Sequence, residues 1–137
     1  MLYIIQSDPD VPPGLIRTEL ERLRLKYALL KIYQGEPLPP PTAITAAIVL
    51  GGSMGANDDA RYPFLADLKK FIREVVAREI PYLGVCLGGQ LLAAAMGAEV
   101  ASNAYGEKGT LTAELTDEGS ADALFDGIAR QLVNRIF

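Results

Sequence analysis

Two periodicities alternate along this chain: short apolar runs of strand-like composition, and longer segments in which apolar residues recur at helical spacing. The segments at residues 15–27 and 64–76 have apolar residues on one face and charged residues on the other, which predicts two amphipathic helices. Four strands are predicted, at residues 2–6, 28–33, 46–50 and 82–85. Nearly continuous apolar strands joined by helices form mostly parallel sheets with helices on both faces, so the pattern predicts a doubly wound α/β fold.

The pattern is less regular beyond Gly97. Strands are predicted at 99–101 and 111–115, a short helix at 122–128, and a last strand from 132. With 137 residues, 50% of them hydrophobic, the chain is long enough for a single domain over residues 1–137. Because the chain stops within an apolar run, we expect this domain to be incomplete at its C-terminus. The sheet edge left there would favour self-association.

Charge and composition exclude several classes of function. Thirteen basic and seventeen acidic residues give a net charge of −4, so the chain lacks the positive surface that binds nucleic acid or anionic membranes. No apolar stretch approaches the roughly 20 residues of a membrane helix, and the start lacks the features of a signal peptide, so we expect a cytoplasmic protein. Because the chain has one cysteine and no histidine, it cannot form an internal disulfide, and only carboxylates and one thiol could bind zinc. We therefore expect neither a metal nor another cofactor.

The only cysteine, Cys86, lies between Gly84 and Gly88, where a predicted strand gives way to a predicted helix over residues 87–96. A strand-to-helix turn that projects one side chain leaves little room for Cβ atoms beside it, so this spacing is typical of a nucleophile elbow. Unpaired N–H groups at the amino end of a helix also favour a thiolate. Cys86 is therefore the candidate nucleophile, and the alternative is an ordinary buried cysteine.

A second glycine-rich loop, Gly51-Gly52-Ser53-Met54-Gly55, follows the predicted strand at 46–50. Active sites of α/β sheets form at the carboxyl ends of strands, so we expect this loop beside the Cys86 turn. Its spacing fits neither common phosphate-binding motif. Next to a nucleophile, such a turn can direct N–H groups at the oxyanion of an acyl intermediate, which assigns the backbone of Gly52 and Leu87 as donors. The alternative is a turn that only reverses the chain.

Acidic and amide side chains precede the helix predicted from Phe64. Asn57, Asp58 and Asp59 are predicted to cap that helix rather than to bind a cation, because such residues are common at helix starts. Farther along, the small residues before Gly97 are predicted to let the helix after the elbow pack closely on the sheet, with Gly97 ending that helix.

Three segments together resemble class I glutamine amidotransferase domains: Gly51 to Gly55, Tyr62-Pro63, and Pro81 to Gln90. Residues 106–109 and 124–127 also look like segments of this family, so the resemblance extends to about Phe137. It implies a flavodoxin-like α/β fold and a Cys–His–Glu triad. In that family the cysteine attacks the side-chain amide of glutamine, forms a γ-glutamyl thioester and releases ammonia for a synthetase partner.

On this resemblance, Cys86 is the catalytic nucleophile and the backbone N–H groups of Gly52 and Leu87 form the oxyanion hole. Gln90 and Gly51 belong to the pocket for glutamine or a related γ-glutamyl amide. The family's later His-Pro-Glu segment, however, has no counterpart in residues 1–137. Without that base, proton transfer loses a contribution of roughly 10²–10⁴ in rate. We therefore expect this chain alone to have little or no glutaminase activity.

Two other interpretations remain open from the sequence. One is a non-catalytic module that binds glutamine or a partner protein without turnover. The other is a thiol redox sensor of a related cysteine-bearing α/β family, in which a thiolate at a helix end is oxidised without a histidine base. For such a sensor, Asp8 and Asp10 are the candidates for a nearby carboxylate.

Overall fold

A four-stranded parallel sheet forms the centre of the first part of the chain. The computed structural model describes residues 1–101 and 109–136. The strands follow the order β2-β1-β3-β4 and are β1 (Leu2–Gln6), β2 (Tyr27–Lys31), β3 (Ala46–Val49) and β4 (Tyr82–Gly84). Every neighbouring pair is parallel, with Ile4 opposite Leu29 and Ile48. The predicted parallel sheet is confirmed.

Helices cover both faces of this sheet. They are α1 (Gly14–Arg22), α2 (Phe64–Ala77) and α3 (Leu87–Ala95). Because successive side chains of a strand point to opposite faces, Ile5 packs with α2 and α3, whereas Ile4 packs with Leu20 of α1. On the first face, the fully buried side chains of the two helices are Leu65, Leu68, Ile72, Val75, Leu87 and Leu91. The doubly wound α/β fold predicted from the alternating pattern is thus confirmed.

Two elements end earlier than predicted. Helix α1 closes because Arg24 has a φ of 55° and the Leu25 N–H donates to the Leu20 carbonyl at 2.9 Å. Strand β2 ends at Lys31, where a 3₁₀ turn over Ile32–Gln34 begins. In both places the apolar pattern continues past the last regular hydrogen bond, which is why periodicity alone placed the ends too late.

Residues 109–136 belong to a second compact unit, distinct from the unit that contains residues 1–101. Its described part contains an antiparallel pair, β5 (Gly109–Glu114) and β6 (Gln131–Ile136). The strands predicted at 111–115 and from 132 correspond to these two. The prediction of a single domain over residues 1–137 stays a prediction, as do its incompleteness and its self-association.

Two predictions around this unit are wrong. Residues 99–101 form no strand, and the Val100 carbonyl instead accepts a hydrogen bond from the Asn57 side chain at 2.7 Å. At 122–128 there is only one 3₁₀ turn, over Ala123–Phe125, since the extended backbone of Asp122 interrupts the helix. The regular helix, α4 (Asp117–Ala121), lies just before it, where the Thr116 hydroxyl accepts from the Gly119 N–H at 3.0 Å.

Within the described residues, no helix combines the length and the apolar character needed to cross a membrane.

Candidate active site

The turn between β4 and α3 places Cys86 in a strained conformation. Cys86 has φ 51° and ψ −109°, a region that residues with a Cβ atom seldom adopt. Its side chain is exposed to solvent rather than packed in the core. An ordinary buried cysteine is therefore excluded, and the sharp turn expected of a nucleophile elbow is present.

Direct backbone contact explains why Gly84 and Gly88 flank the cysteine. A Cβ atom at Gly84 would lie 2.5 Å from the carbonyl carbon of Gly88 and 2.6 Å from the Gly89 nitrogen. A Cβ atom at Gly88 would overlap the carbonyl oxygen of Val49 in the adjacent strand, an oxygen that also accepts from the Val85 N–H at 2.9 Å. The predicted close packing of strand and helix is thus a main-chain contact that leaves no space for a side chain.

A tyrosine on β4 fastens the start of α3. The hydroxyl of Tyr82 donates to the Gly88 carbonyl at 2.8 Å. Burial raises the pKa of the Tyr82 phenol well above its ordinary value, so the hydroxyl keeps the proton that it donates. This contact was not predicted, because a tyrosine in an apolar strand reads in sequence as a core residue.

The first turn of α3 leaves one backbone N–H group without a described partner, at the residue after Cys86. The N–H groups of Gly89 and Gln90 donate to the Cys86 carbonyl at 3.0 and 3.1 Å, and the Gly88 N–H donates to Val85. The Leu87 N–H is the first amide of the helix and has no partner among the described residues. It is therefore free to bind a negatively charged oxygen beside Cys86.

The glycine-rich loop after β3 lies against this turn, as expected from the topology. A Cβ atom on Gly51 would lie 3.5 Å from the Cβ of Cys86, and one on Gly52 would lie 2.9 Å from Cδ2 of Leu87. The absence of side chains at both positions lets the loop backbone approach the cysteine. Like that of Leu87, the Gly52 N–H has no partner among the described residues. The prediction that the two glycine turns are neighbours is confirmed.

A buried carboxylate holds this loop from the neighbouring strand. Asp8, two residues beyond β1, is only 4% exposed. Its Oδ2 accepts from the Ser53 N–H at 2.8 Å and from the Ser53 hydroxyl at 2.7 Å, and its Oδ1 accepts from the Asp10 N–H at 3.0 Å. The Ser53 hydroxyl, followed by the two N–H donors, holds the pKa of the Asp8 carboxyl below its ordinary value, so the group is ionised at neutral pH.

Neither carboxylate considered for a thiol sensor hydrogen-bonds to the cysteine. All of the described hydrogen bonds of the Asp8 side chain come from Ser53 and Asp10, and Asp10 itself is exposed. From the sequence, Asp8 was only a candidate carboxylate near the first strand, and its bond to the glycine loop was not predicted. The sequence signal for this bond was indirect. Asp8 follows β1, and β1 lies next to β3, the strand that leads into the loop.

Contacts at the Gly55 end of the loop correct the prediction that the acidic residues cap α2. Asp58 does not cap α2, which begins at Phe64 after Pro63; instead, its Oδ2 accepts from the Gly55 N–H at 2.6 Å and closes the end of the loop. Asp59 pairs with Lys69 of α2 at 2.7 Å. The acidic cluster therefore stabilises the connection between the loop and the helix, although not as the predicted cap.

Other residues singled out in the sequence are placed as follows. Gln90 is exposed in the first turn of α3, four residues after Cys86 and therefore on the same side of the helix. Tyr62 lines a cavity of about 210 Å³ on the Asp8 side of the loop, which Cys86 does not line. Residues 106–108 of the predicted family segment 106–109 lie outside the described residues, and residues 124–127 overlap the 3₁₀ turn of the second unit.

Comparisons with known proteins agree with this architecture. The model of the class I glutamine amidotransferase family matches residues 15–136. The chain is 30% identical over 102 residues to a subunit of the glutamine-hydrolyzing GMP synthase of Haloarcula marismortui, a match that covers 74% of this chain and 49% of the relative. It is 43% identical over 54 residues to the carbamoyl phosphate synthase small chain of Pyrococcus furiosus, covering 39% of this chain and 15% of the relative.

Solved structures show the same fold. A glutamine amidotransferase from Thermotoga maritima superposes with a TM-score of 0.87 at 29% identity, covering 98% of this chain and 58% of that one. A glutamine amido transferase from Methylobacillus flagellatus gives 0.87 at 32% identity, covering 99% and 54%. The chain spans about half the length, or less, of the curated relatives. Because the family model covers almost all of the sequence, the chain belongs to the class I glutamine amidotransferase family.

Proposed function

We propose that this chain carries the acyl-transfer half of a glutaminase site, with Cys86 as the nucleophile. In this reaction the Sγ thiolate attacks the amide carbon of the glutamine side chain and forms a tetrahedral oxyanion. The C–N bond then breaks, the nitrogen takes up a proton and leaves as ammonia, and a γ-glutamyl thioester remains on Cys86. Water hydrolyses the thioester to glutamate and restores the thiol.

The observation that carries the proposal is the contact between two turns beside one exposed thiol, each turn with an N–H group that has no described partner. Acyl transfer is accelerated most by fixed donors aimed at the developing oxyanion, and loss of one such donor costs about 10²–10³ in rate. The N–H groups of Gly52 and Leu87 are of this kind, because each belongs to a turn in contact with the other and has no described partner. We assign them as the oxyanion hole.

The substrate pocket is proposed to use Gly51 and Gln90. A Cβ atom on Gly51 would lie 3.5 Å from the Cβ of Cys86, so its absence leaves space beside the thiol for a linear side chain. Gln90 presents an amide on the same side of α3 as Cys86, and an amide can both donate to and accept from the polar groups of glutamine. Glutamine or a related γ-glutamyl amide is the proposed ligand.

Proton transfer is the part of the reaction that these 137 residues do not supply. They contain no histidine, and the thiol must lose a proton while the leaving nitrogen gains one. Without a positioned base, general acid–base catalysis of roughly 10²–10⁴ is lost. We therefore propose that residues 1–137 alone bind glutamine but turn it over slowly, and that the base comes from outside these residues.

The fate of the ammonia is proposed from the relatives. The matched proteins include a subunit of a GMP synthase and the small chain of a carbamoyl phosphate synthase, both named as parts of synthetases. Ammonia released at Cys86 would accordingly serve a synthetase partner. The carboxyl edge of the parallel sheet, which carries Cys86 and the glycine loop, is the side from which that ammonia leaves.

The test is chemical rescue of glutamine turnover. The chain is incubated with glutamine and hydroxylamine, with and without added imidazole, and γ-glutamyl hydroxamate is measured. We expect little product without imidazole, a clear increase with it, and none from Cys86→Ala. Asparagine, which is one methylene shorter, serves as the matched substrate control.

Three outcomes would contradict the proposal. Turnover at the rate of an intact amidotransferase without imidazole would show that no external base is needed. Product of equal amount from Cys86→Ala would show that the thiol is not the nucleophile. Calorimetric binding of glutamine with no hydroxamate under any condition would favour the non-catalytic binding module instead.

A further inference from the structure

The glycine loop needs an anchor that its own sequence does not contain. Gly51 and Gly52 have no side chains with which to fix their backbone, and the segment from 51 to 55 forms no regular secondary structure. A loop of this kind would sample several backbone conformations, because glycine restricts neither φ nor ψ strongly. An oxyanion donor is effective only if its N–H is held in place before the reaction.

The described contacts supply that anchor from a residue 45 positions earlier in the chain. One oxygen of the Asp8 carboxylate, Oδ2, accepts both the N–H and the hydroxyl of Ser53, at 2.8 and 2.7 Å. The Ser53 N–H belongs to the Gly52–Ser53 peptide group. Because that peptide is planar, its orientation sets the torsion angle on the C-terminal side of Gly52.

The carboxylate is itself held rigidly. Its second oxygen accepts from the Asp10 N–H at 3.0 Å, and the Asp8 carbonyl accepts from the side-chain amide of Gln6 at 2.8 Å. Both Gln6 and Asp8 are buried, at 3% and 4% exposure. Asp8 makes no ion pair within the described residues, so these hydrogen bonds are what compensate for burying its charge.

The anchor lies directly next to the reacting groups. A Cβ atom on Gly52 would be 3.5 Å from the Cβ of Asp8 and 2.9 Å from Cδ2 of Leu87. Gly52 is thus enclosed between the carboxylate residue and the first residue of α3. The Gly52 N–H belongs to the preceding peptide group, which is joined to the Gly52–Ser53 peptide at the Gly52 α-carbon. A loose Gly52–Ser53 peptide would therefore leave that N–H free to turn away from the site that Leu87 shares with it.

From these contacts we infer that Asp8 is a positioning residue of the oxyanion site: it holds the Gly52–Ser53 peptide so that the Gly52 N–H faces the oxyanion formed at Cys86. The inference rests on the proposed function of Cys86. It predicts that asparagine cannot replace Asp8, because asparagine has one acceptor oxygen and one donating NH₂ group. At least one of the three donors around the side chain would then face another donor.

The test compares two alkylating reagents on Cys86. The first is a chloromethyl ketone in which CH₂Cl replaces the amide nitrogen of glutamine, so that its carbonyl occupies the oxyanion hole while a thioether forms and chloride leaves. The second is iodoacetamide, which needs no oxyanion hole. The ratio of the two second-order rate constants is measured for the unmodified chain, Asp8→Asn, Ser53→Ala and the matched control Asp10→Asn, whose exposed side chain accepts no described hydrogen bond.

We expect Asp8→Asn to lower this ratio by about 10- to 100-fold, the loss that follows from a misplaced catalytic group. Ser53→Ala, which keeps its N–H bond to Asp8, should lower it by less, and Asp10→Asn should leave it within about 2-fold of the unmodified chain. A merely structural role for Asp8 would slow or speed both reagents together and leave the ratio unchanged. Retention of the full ratio in Asp8→Asn would overturn the inference.

Amide hydrogen exchange separates this inference from the proposed function. If Asp8 anchors the loop, exchange at the Ser53 amide should become faster by about 10-fold or more in Asp8→Asn and stay slow in Asp10→Asn. A chain that shows this change but no preference for the glutamine ketone would refute the function proposed for Cys86 and keep the anchor. Unchanged exchange at Ser53 would refute the anchor. If Asp8→Asn does not fold, the ratio of the two alkylation rate constants in Ser53→Ala is used instead. A ratio equal to that of the unmodified chain would then contradict the inference.

Discussion

The hydroxyl of Tyr82 donates to the carbonyl oxygen of Gly88 at 2.8 Å, so the first residue of β4 is bonded to the first turn of α3. Cys86 lies between these two residues in sequence, and the bond closes the turn that contains it. The elbow is thus held on both sides, by glycines that allow backbone contact and by a side chain that fastens the helix start. Its stability can be measured apart from its chemistry.

Replacing Tyr82 by phenylalanine should destabilise the fold by about 1 kcal/mol, the net contribution of one hydrogen bond whose acceptor is left without its partner. The measurement is urea unfolding, with the shift in midpoint converted through a common slope. Tyr33→Phe is the matched control, because the Tyr33 hydroxyl makes no hydrogen bond to a described side chain or carbonyl. Equal losses in the two variants would argue that ring packing rather than the Gly88 bond is responsible.

Alkaline pH should weaken the native chain through the same residue. Burial raises the pKa of Tyr82 above the value of about 10 that a tyrosine has in an unfolded chain. The stabilisation is complete below that value and is lost as the pH rises above it, because the unfolded chain then releases its proton first. Unfolding free energies measured between about pH 9 and 11 should therefore fall more steeply for the unmodified chain than for Tyr82→Phe.

Adding one methyl group should have opposite effects at two adjacent glycines of α3. Gly88→Ala should cost about 3 kcal/mol, because its Cβ would overlap the Val49 carbonyl oxygen and lie 2.9 Å from the Val49 carbonyl carbon. Gly89→Ala would place its Cβ 3.5 Å from the Gly84 carbonyl oxygen, which is an ordinary van der Waals distance. It should stabilise the helix by about 0.5–1 kcal/mol. Thermal unfolding of both variants checks the sign of each change.

Two adjacent lysines of α2 should differ in their importance. Lys69 is 15% exposed and donates to the Asp59 carboxylate at 2.7 Å and to the Ala56 carbonyl at 3.1 Å. Lys69→Met removes both bonds and should cost about 1–2 kcal/mol. Lys70 is exposed, so Lys70→Met should change stability by less than about 0.5 kcal/mol. The measurement is the free energy of unfolding of each variant in denaturant. Equal losses of stability in the two variants would contradict this interpretation.

The conformation of Cys86 predicts that this residue reduces the stability of the fold. A non-glycine residue at φ 51° and ψ −109° carries about 1–3 kcal/mol of strain. Glycine relieves the strain but makes the unfolded chain more flexible, at a cost of about 0.5–1 kcal/mol. Cys86→Gly should therefore be more stable than Cys86→Ala by about 1 kcal/mol, as measured by calorimetric unfolding. An alanine variant at least as stable would show that the turn is not strained.

The elbow and its neighbouring loop could be predicted from sequence because their signals are local or topological. Glycines at fixed spacing around one cysteine define a turn, and parallel strands bring their carboxyl ends to a common edge. The contact of Gly51 with Cys86 follows from these two facts alone. The helices and strands of the first unit were likewise evident from their periodicity.

Other features depend on contacts that no local pattern contains. The bond between Asp8 and Ser53 joins residues 45 positions apart, and nothing in either segment names the other. The end of α1 depends on a positive φ at Arg24, a residue type that rarely adopts it. Asp58 has the sequence context of a helix cap, yet its carboxylate finds the Gly55 N–H three residues before it. In each case a tertiary or turn contact overrode a sound local preference.

The contact between Gly88 and Val49 bears on how this family diverges. Here the helix that follows Cys86 rests on the main chain of the neighbouring strand, so the distance between them does not depend on which apolar side chains fill the rest of the sheet. Mutations in those side chains can accumulate without moving the thiol. Solved structures at 29% and 32% identity superpose on this chain with a TM-score of 0.87, so the fold persists while most of the side chains differ.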